Sequence, residues 1–286
     1  MQCILRSVLK RYAFPPVKRL YYRIAGGVRF SGNYASWEEA HRHATGYDSP
    51  EIIKRVTDAA LKVKNGEAVC ERDSVLFDRP QYSWPVIAGL LWIAAQKGNR
   101  LNIVDFGGSL GSSYFQARRF LLPLEACRWS VVEQKHFVET GQRYFEDDHL
   151  RFYDELDVCI GREKPDAILL SSVLQYLPDP GALLDTLVDK GLEFILVDRT
   201  PFFLAHKDRL TVQKVPSWIY PASYPAWIMN LDGFRDRFSG TYDLIADFDS
   251  PDTANIPAEF KGFIYRKKAP NATPGQRRSS SLKGPG

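Results

Sequence analysis

The sequence predicts an α/β protein built on a mostly parallel sheet with helices on both faces, and three observations carry that reading. From Leu101 onward, short apolar runs alternate with helical intervals, the pattern of strands joined by crossover helices. The first run leads directly into the glycine-rich turn Asp105-Phe-Gly-Gly-Ser-Leu-Gly-Ser-Ser113. The last two runs, YDLIADF (242–248) and FKGFIYRK (260–267), are close enough in sequence to pair as an antiparallel hairpin.

The elements follow in order. Residues 1–35 mix Arg and Lys with Tyr, Phe, Ile and Leu and are broken at Pro15-Pro16 and Gly26-Gly27. Such a basic arm suits either a peripheral contact with anionic membrane or packing on the body. Ser49 as N-cap, Pro50 at the first helical position and Glu51 in the first turn open a helix. It carries Ile52, Ile53, Val56, Ala60 and Val63 on one face and stops at Asn65-Gly66. SWPVIAGLLWIAAQK (83–97) reads as a second, almost wholly buried helix, and residues 36–97 together as a helical cap. Strands are expected at LNIVDF (101–106), RWSVVEQ (128–134), a weaker LRFYDEL (150–156), DAILLSS (166–172) and EFILVDR (193–199), with helices at 112–122, 136–147 and 180–190. An insertion at about 203–235 precedes the final hairpin. Residues 269–286, rich in Pro, Gly, Ser and Arg/Lys, read as a disordered basic tail.

Composition narrows the function classes. With 286 residues, 44% hydrophobic and 25% charged, the chain can bury a sizeable core, which excludes a fibre or a disordered tail protein. The total charge of +4 hides a split. Residues 1–37 and 260–286 hold seven cations each and no acid, so the middle carries −10. An acidic body argues against nucleic acid as partner. Cys3, Cys70, Cys127 and Cys159 form no CxxC pair, so free thiols in a reducing cytoplasm and no metal site are expected. The longest apolar run, Val86 to Ala95, is about half the ~20 residues of a membrane span.

The glycine-rich turn admits two chemistries. Gly107, Gly108 and Gly111 let backbone approach a ligand closely, and the next helix aims its free N–H groups at the same place. In open α/β sheets ligands sit at the carboxyl ends of the strands, at the switch point. Glu133, at the end of the second strand and 22 residues past Gly111, is placed to accept both hydrogen bonds of a ribose diol. The same turn matches G-x-S-x-G, the nucleophile elbow of an α/β serine hydrolase with Ser109 as nucleophile. That chemistry needs a later acid and then a histidine. Only His136, His149 and His206 follow, none placed after a late strand in the usual way, so Ser109 is better read as a turn residue or ligand hydrogen-bonder.

Taken together, VDFGGSLG (104–111), VVEQ (131–134), DAILLSSVLQYLPDP (166–180) and the terminal hairpin resemble class I S-adenosylmethionine-dependent methyltransferases over about residues 101–267. ERDSVLFD (71–78), QYSWP (81–85), SSVLQYL (171–177) and DRTPF (198–202) further resemble a bacterial methyltransferase family associated with surface-polysaccharide gene clusters. The resemblance implies a three-layer, Rossmann-like sandwich over residues 98–268, with a seven-stranded sheet and an antiparallel last strand. It implies S-adenosyl-L-methionine as cofactor and methyl transfer to a small-molecule or glycan-linked acceptor. Carried over, Asp105, Gly107, Gly108, Ser109 and Gly111 would line the cofactor's amino-acid and ribose portions and Glu133 would hold the ribose. Gln134, Asp154 and Tyr153 would border the adenine, while Ser171, Ser172 and Gln175 would lie where acceptors approach. Ser-Ser-Val replaces the Asn/Asp-Pro-Pro-Tyr/Phe of amino-group methyltransferases, which leans toward an oxygen acceptor. A non-catalytic module that only binds cofactor or partner is the rival reading.

Methyl transfer draws much of its catalysis from proximity, and an alcohol acceptor still benefits from a base. Glu71, Asp73, Asp198 and His206 are the candidates, each carboxylate having a solvated or salt-bridged alternative. Arg199 suits an anionic acceptor. The aromatic clusters Tyr82/Trp84 and Trp218/Tyr220/Tyr224/Trp227 offer flat faces for a sugar or planar ligand, with ordinary core packing as the alternative.

Overall fold

A computed structural model describes residues 28–46, 50–72, 74–203, 207–217 and 219–269. Most of the basic arm, the tail after Ala269, and Ser49, Asp73, His206 and Trp218 therefore lie outside the described residues.

Five parallel strands form the frame: β4 (Arg100–Phe106), β5 (Ala126–Val132), β6 (Leu150–Tyr153), β7 (Ala167–Ser171) and β8 (Phe194–Phe203). They run in the order β6-β5-β4-β7-β8. Beyond β8 lies β12 (Glu259–Lys267), antiparallel to it, and then β11 (Tyr242–Asp249), antiparallel to β12. These are the seven strands expected. The chain leaves β4 toward β5 and returns to its other side at β7, so β4 and β7 flank the switch point.

Side-chain alternation along these strands fixes the layers. Leu101, Ile103, Trp129, Val131, Leu169 and Leu196 face one core, and Val104, Ile168, Leu170, Ile195 and Val197 face the other. The first core is closed by α2 (Pro50–Lys64), α3 (Trp84–Gln96), α4 (Ser112–Leu121) and α5 (Lys135–Tyr144). The second is closed by α6 (Leu156–Glu163), α7 (Pro180–Lys190) and α8 (Leu231–Ser239). Asp179 caps α7 by accepting the amide of Ala182 at 2.9 Å. Leu90, Ile93 and Ala94 of α3 are fully buried in the first core. Two helices of the segment read as a cap, α2 and α3, thus lie in one helical layer of the sandwich.

The sheet is wider than its seven-stranded frame. β1 (Arg29–Tyr34), β9 (Arg209–Lys214) and β10 (Ser223–Asn230) bring it to ten strands. β9 pairs antiparallel with both β1 and β10, and β10 runs parallel to the far end of β8, Met229 opposite Phe202. The last residues of the arm are therefore a paired strand, and the insertion carries the two strands β9 and β10 and the start of α8. Phe30, Phe203, Ala226 and Ile228 form a small core there. The helix α1 (Trp37–Arg42), capped by Ser36, covers Leu210 and Val212 through Ala40. A separate hairpin, β2 (Cys70–Arg72) and β3 (Val75–Phe77), stands beside α4. No helix among the described residues is long and apolar enough to cross a membrane.

Candidate active site

A cavity of about 790 Å3 opens over the carboxyl ends of β4, β5, β7 and β8, and the β1-β9-β10 extension walls its far side. The glycine turn after β4 forms its floor. Gly107 has φ +71°, and a Cβ there would fall 2.3 Å from Cγ2 of Val173; one on Gly108 would fall 2.5 Å from the carboxyl carbon of Asp105. Only glycine fits either position. Ser109 also lies at positive φ, 54°.

Asp105 is buried beneath this turn and accepts the indole N–H of Trp129 on Oδ2 at 3.1 Å. Burial pushes its carboxyl up to about 7, the indole bond opposes the rise, and the charge of Glu133 adds to it. Glu133 itself follows the end of β5. Burial raises its carboxyl above the usual range, against two amides that it accepts, those of Gln134 at 2.7 Å and of Ser109. Gly107, Gly108, Ser109, Glu133, Gln134 and Asp154 share this half of the cavity wall. Gly111, at φ +88°, starts α4 and is not part of the wall.

The other half lies over β7 and β8. Ser171 ends β7 and Ser172 follows it, and Asp198 and Arg199 stand at the matching level of β8, Ser171 directly opposite Asp198. Asp198 is 3% exposed; its Oδ1 accepts the Ser250 hydroxyl at 2.9 Å and its Oδ2 the Ser171 hydroxyl at 3.4 Å. The Ser83 hydroxyl is a further donor to this carboxylate. Burial raises the Asp198 carboxyl, and the hydroxyls and Arg199 act against that rise. Arg199 has φ +54° inside a strand, and its Nε donates to Asp252 Oδ2 at 2.8 Å. Arg72 stands 3.9 Å from the other oxygen of Asp252. Burial alone would raise the Asp252 carboxyl, but the two guanidiniums hold it below the ordinary range. Tyr220 and Tyr224 line the chamber, where the Tyr176 hydroxyl donates to Gln213 Oε1 at 3.0 Å and Gln213 donates to the Tyr224 hydroxyl at 3.1 Å.

Three residues assigned to acceptor contact are placed elsewhere. Tyr82 and Trp84 pack with Phe120 on the outer surface, ring centroids 4.9–5.5 Å apart, and Trp84 is 58% exposed. Residues 81–83 precede α3 without helical structure, so Gln81 and Ser83 face the cavity while Tyr82 points away. Gln175 is buried behind the wall, donating to Ser172 Oγ at 3.2 Å and the Arg199 carbonyl at 3.4 Å. Glu71 also lies outside the cavity, where it accepts the Ser112 hydroxyl and the Ser74 amide. No histidine hydrogen-bonds to Ser109 among the described residues. Sequence reasoning missed Arg72, Gln81, Ser83, Gln213 and Asp252. Their side chains converge only through pairings remote in sequence, although Gln81 and Ser83 lie inside the QYSWP motif.

The strand order and the glycine turn at its switch point define a Rossmann-like α/β sandwich. A scan of protein-family models gives no match, and a search of curated proteins gives none either. Among solved structures, the chain is similar to the 1,6-didemethyltoxoflavin-N1-methyltransferase of Burkholderia thailandensis, with bound 1,6-didemethyltoxoflavin and S-adenosylhomocysteine (15% identity, TM-score 0.43, 79% of this chain and 95% of that one). It is similar to the N-terminal domain of EvdMO1 in the presence of S-adenosylhomocysteine and D-fucose (12%, 0.48, 78% and 98%). A third likeness is the magnesium protoporphyrin IX methyltransferase of Synechocystis PCC 6803 with bound S-adenosylmethionine (12%, 0.42, 93% and 96%).

Proposed function

We propose that the chain is an S-adenosylmethionine-dependent methyltransferase acting on the oxygen of a small-molecule or glycan-linked acceptor. The observation that carries this reading is one continuous cavity with two chemically distinct halves. At one end a glycine turn and an acid stand at the switch point; at the other, hydroxyls, a carboxylate and tyrosines ring a separate chamber. The donor set fits the cofactor. A carboxylate has about four lone-pair sites, and Glu133 gives some of them to the Ser109 and Gln134 amides. It can still accept from a ribose diol, while the turn brings backbone within reach.

When bound, S-adenosylmethionine supplies an electrophilic methyl group on a sulfonium. The work of this chain is orientation. Glu133 and the turn hold the cofactor, Asp154 and Gln134 border the base, and Ser171 and Ser172 set the boundary with the acceptor chamber. Tyr224 offers a ring suited to a sugar or planar acceptor, while Tyr220, 2% exposed, packs in the first core.

Calorimetric titration with S-adenosylmethionine and S-adenosylhomocysteine tests the reading. Micromolar binding by the wild type, abolished by Gly107→Arg, is expected. No binding of either ligand at millimolar concentration would falsify it. Binding with no transfer to any of a broad set of hydroxyl compounds would make the chain a binding module. Esterase activity lost on Ser109→Ala would make it a hydrolase.

A further inference from the structure

We propose that Asp198 is the general base of the reaction and that the group it serves is an alcohol or phenol hydroxyl. This rests on the methyltransferase reading and assigns its proton transfer. Four described carboxylates line the cavity: Glu133, Asp154, Asp198 and Asp252. Glu133 and Asp154 belong to the half assigned to the cofactor. Asp252 is committed to the guanidiniums of Arg199 and Arg72. Asp198 stands where the two halves meet, opposite Ser171 at the end of β7.

Its hydrogen bonds leave the carboxylate one lone pair open. The Ser250 Oγ accepts the Arg199 amide at 3.2 Å. Its own proton is therefore turned toward Asp198 Oδ1, 2.9 Å away. Oδ2 receives the long 3.4 Å contact from Ser171, and Ser83 donates to the same carboxylate, so three hydroxyls take three of its about four lone-pair sites. It keeps a lone pair for a hydroxyl in the chamber, and hydroxyl donors rather than a direct ion pair leave the carboxylate basic. Arg199 favours the charged form and Asp252, itself held by Arg72, disfavours it. Burial raises the carboxyl above its ordinary range, toward the pH at which a base works best. In the step assigned to Asp198, the acceptor O–H bond breaks and its proton lands on the carboxylate. The freed electron pair forms the O–C bond as the methyl–sulfur bond breaks, leaving a neutral thioether. A carboxylate acceptor would meet like charge here and needs no base.

The test compares wild type, Asp198→Asn and Ser250→Ala with S-adenosylmethionine and a set of sugar alcohols and phenols from pH 5 to 9. It follows S-adenosylhomocysteine formation, and calorimetry measures S-adenosylhomocysteine binding on the same preparations. Asp198→Asn is expected to keep ligand affinity within about twofold and to lose ~10²–10⁴ in turnover together with the acid limb of the profile. Ser250→Ala, which keeps the carboxylate, is expected to shift that limb upward by about one pH unit. Carbon-13 NMR of aspartate-labelled protein gives a readout without turnover: the signal missing in Asp198→Asn should titrate above the ordinary aspartate value and move upward in Ser250→Ala. Asp198→Asn turnover within threefold of wild type overturns the proposal. So does an unmoved limb or signal in Ser250→Ala, transfer to carboxylates alone, or no transfer to any hydroxyl by a protein that binds S-adenosylhomocysteine. Failure of the wild type to bind that ligand defeats the methyltransferase reading instead, and the carbon-13 titration still reports on Asp198.

Discussion

The indole N–H of Trp129 in β5 donates to the buried carboxylate of Asp105 in β4, 3.1 Å away, under the glycine turn. An unfolded aspartate titrates near 4, while folded Asp105 does so at about 7. The folded chain holds the proton more tightly, so this group costs stability as pH rises from about 4 to about 7, on the order of 4 kcal/mol in all. Asp105→Asn retains an acceptor for the indole and removes the titration. Its thermal midpoint should match wild type near pH 4 and exceed it at pH 8. Equal midpoints at both pH values would refute this account.

Glu133 binds the glycine turn as well as any ligand, because it accepts the Ser109 amide. Glu133→Gln should weaken S-adenosylhomocysteine binding about 10- to 100-fold in calorimetry, the value of one or two charge-assisted hydrogen bonds. An unchanged affinity would move the ribose site elsewhere.

At Gly107 the backbone and the neighbouring Val173 both reject a side chain. Gly107→Ala should cost about 1–3 kcal/mol in urea unfolding. Gly107→Ala with Val173→Ala should recover part of that loss, since only the contact and not the positive φ is relieved. Identical single and double variants would show that the contact carries no strain.

Asp252 joins the β2–β3 hairpin, through Arg72, to β8, through Arg199. Its folded carboxyl titrates below the ordinary value. The stability it contributes is fully present above the unfolded pKa near 4 and is lost as pH falls through the folded value. Asp252→Asn should destabilise by about 1–3 kcal/mol at pH 7 and flatten the acid side of the stability profile. A parallel shift at all pH values would contradict it.

Trp84 and Tyr82 stand outside the cavity wall. Trp84→Ser should leave S-adenosylhomocysteine affinity within twofold. A tenfold loss would return the QYSWP aromatics to the site.

The frame was legible because its signals are local. Each parallel strand is a short apolar run, and the turn, Glu133 and the Pro180–Lys190 helix with its Asp179 cap carry their own chemistry in adjacent residues. Helix α6 was hidden because LRFYDEL was read as strand through Leu156, where the helix begins. β1 gives no such signal: its burial does not alternate, and its partner Lys214 lies 185 positions from Arg29. Gln81 and Ser83 line the cavity while Tyr82 does not, the alternation of extended residues, and Trp84 opens helix α3. Asp252 and Arg72 meet across 180 positions, a distance no local pattern spans.

One last consequence lies in β8. Its edge is held by β7 up to Asp198 and by β10 from Phe202, and Gln175 satisfies the Arg199 carbonyl in the interval. A seam therefore crosses the sheet at the level of the proposed base. Everything on the β7 side can stay constant while β9 and β10 are exchanged, provided Phe202 and Phe203 still find a parallel neighbour. Residues 209–230 form, in effect, a replaceable cassette: grafting them between related chains should transplant acceptor choice and leave cofactor affinity behind.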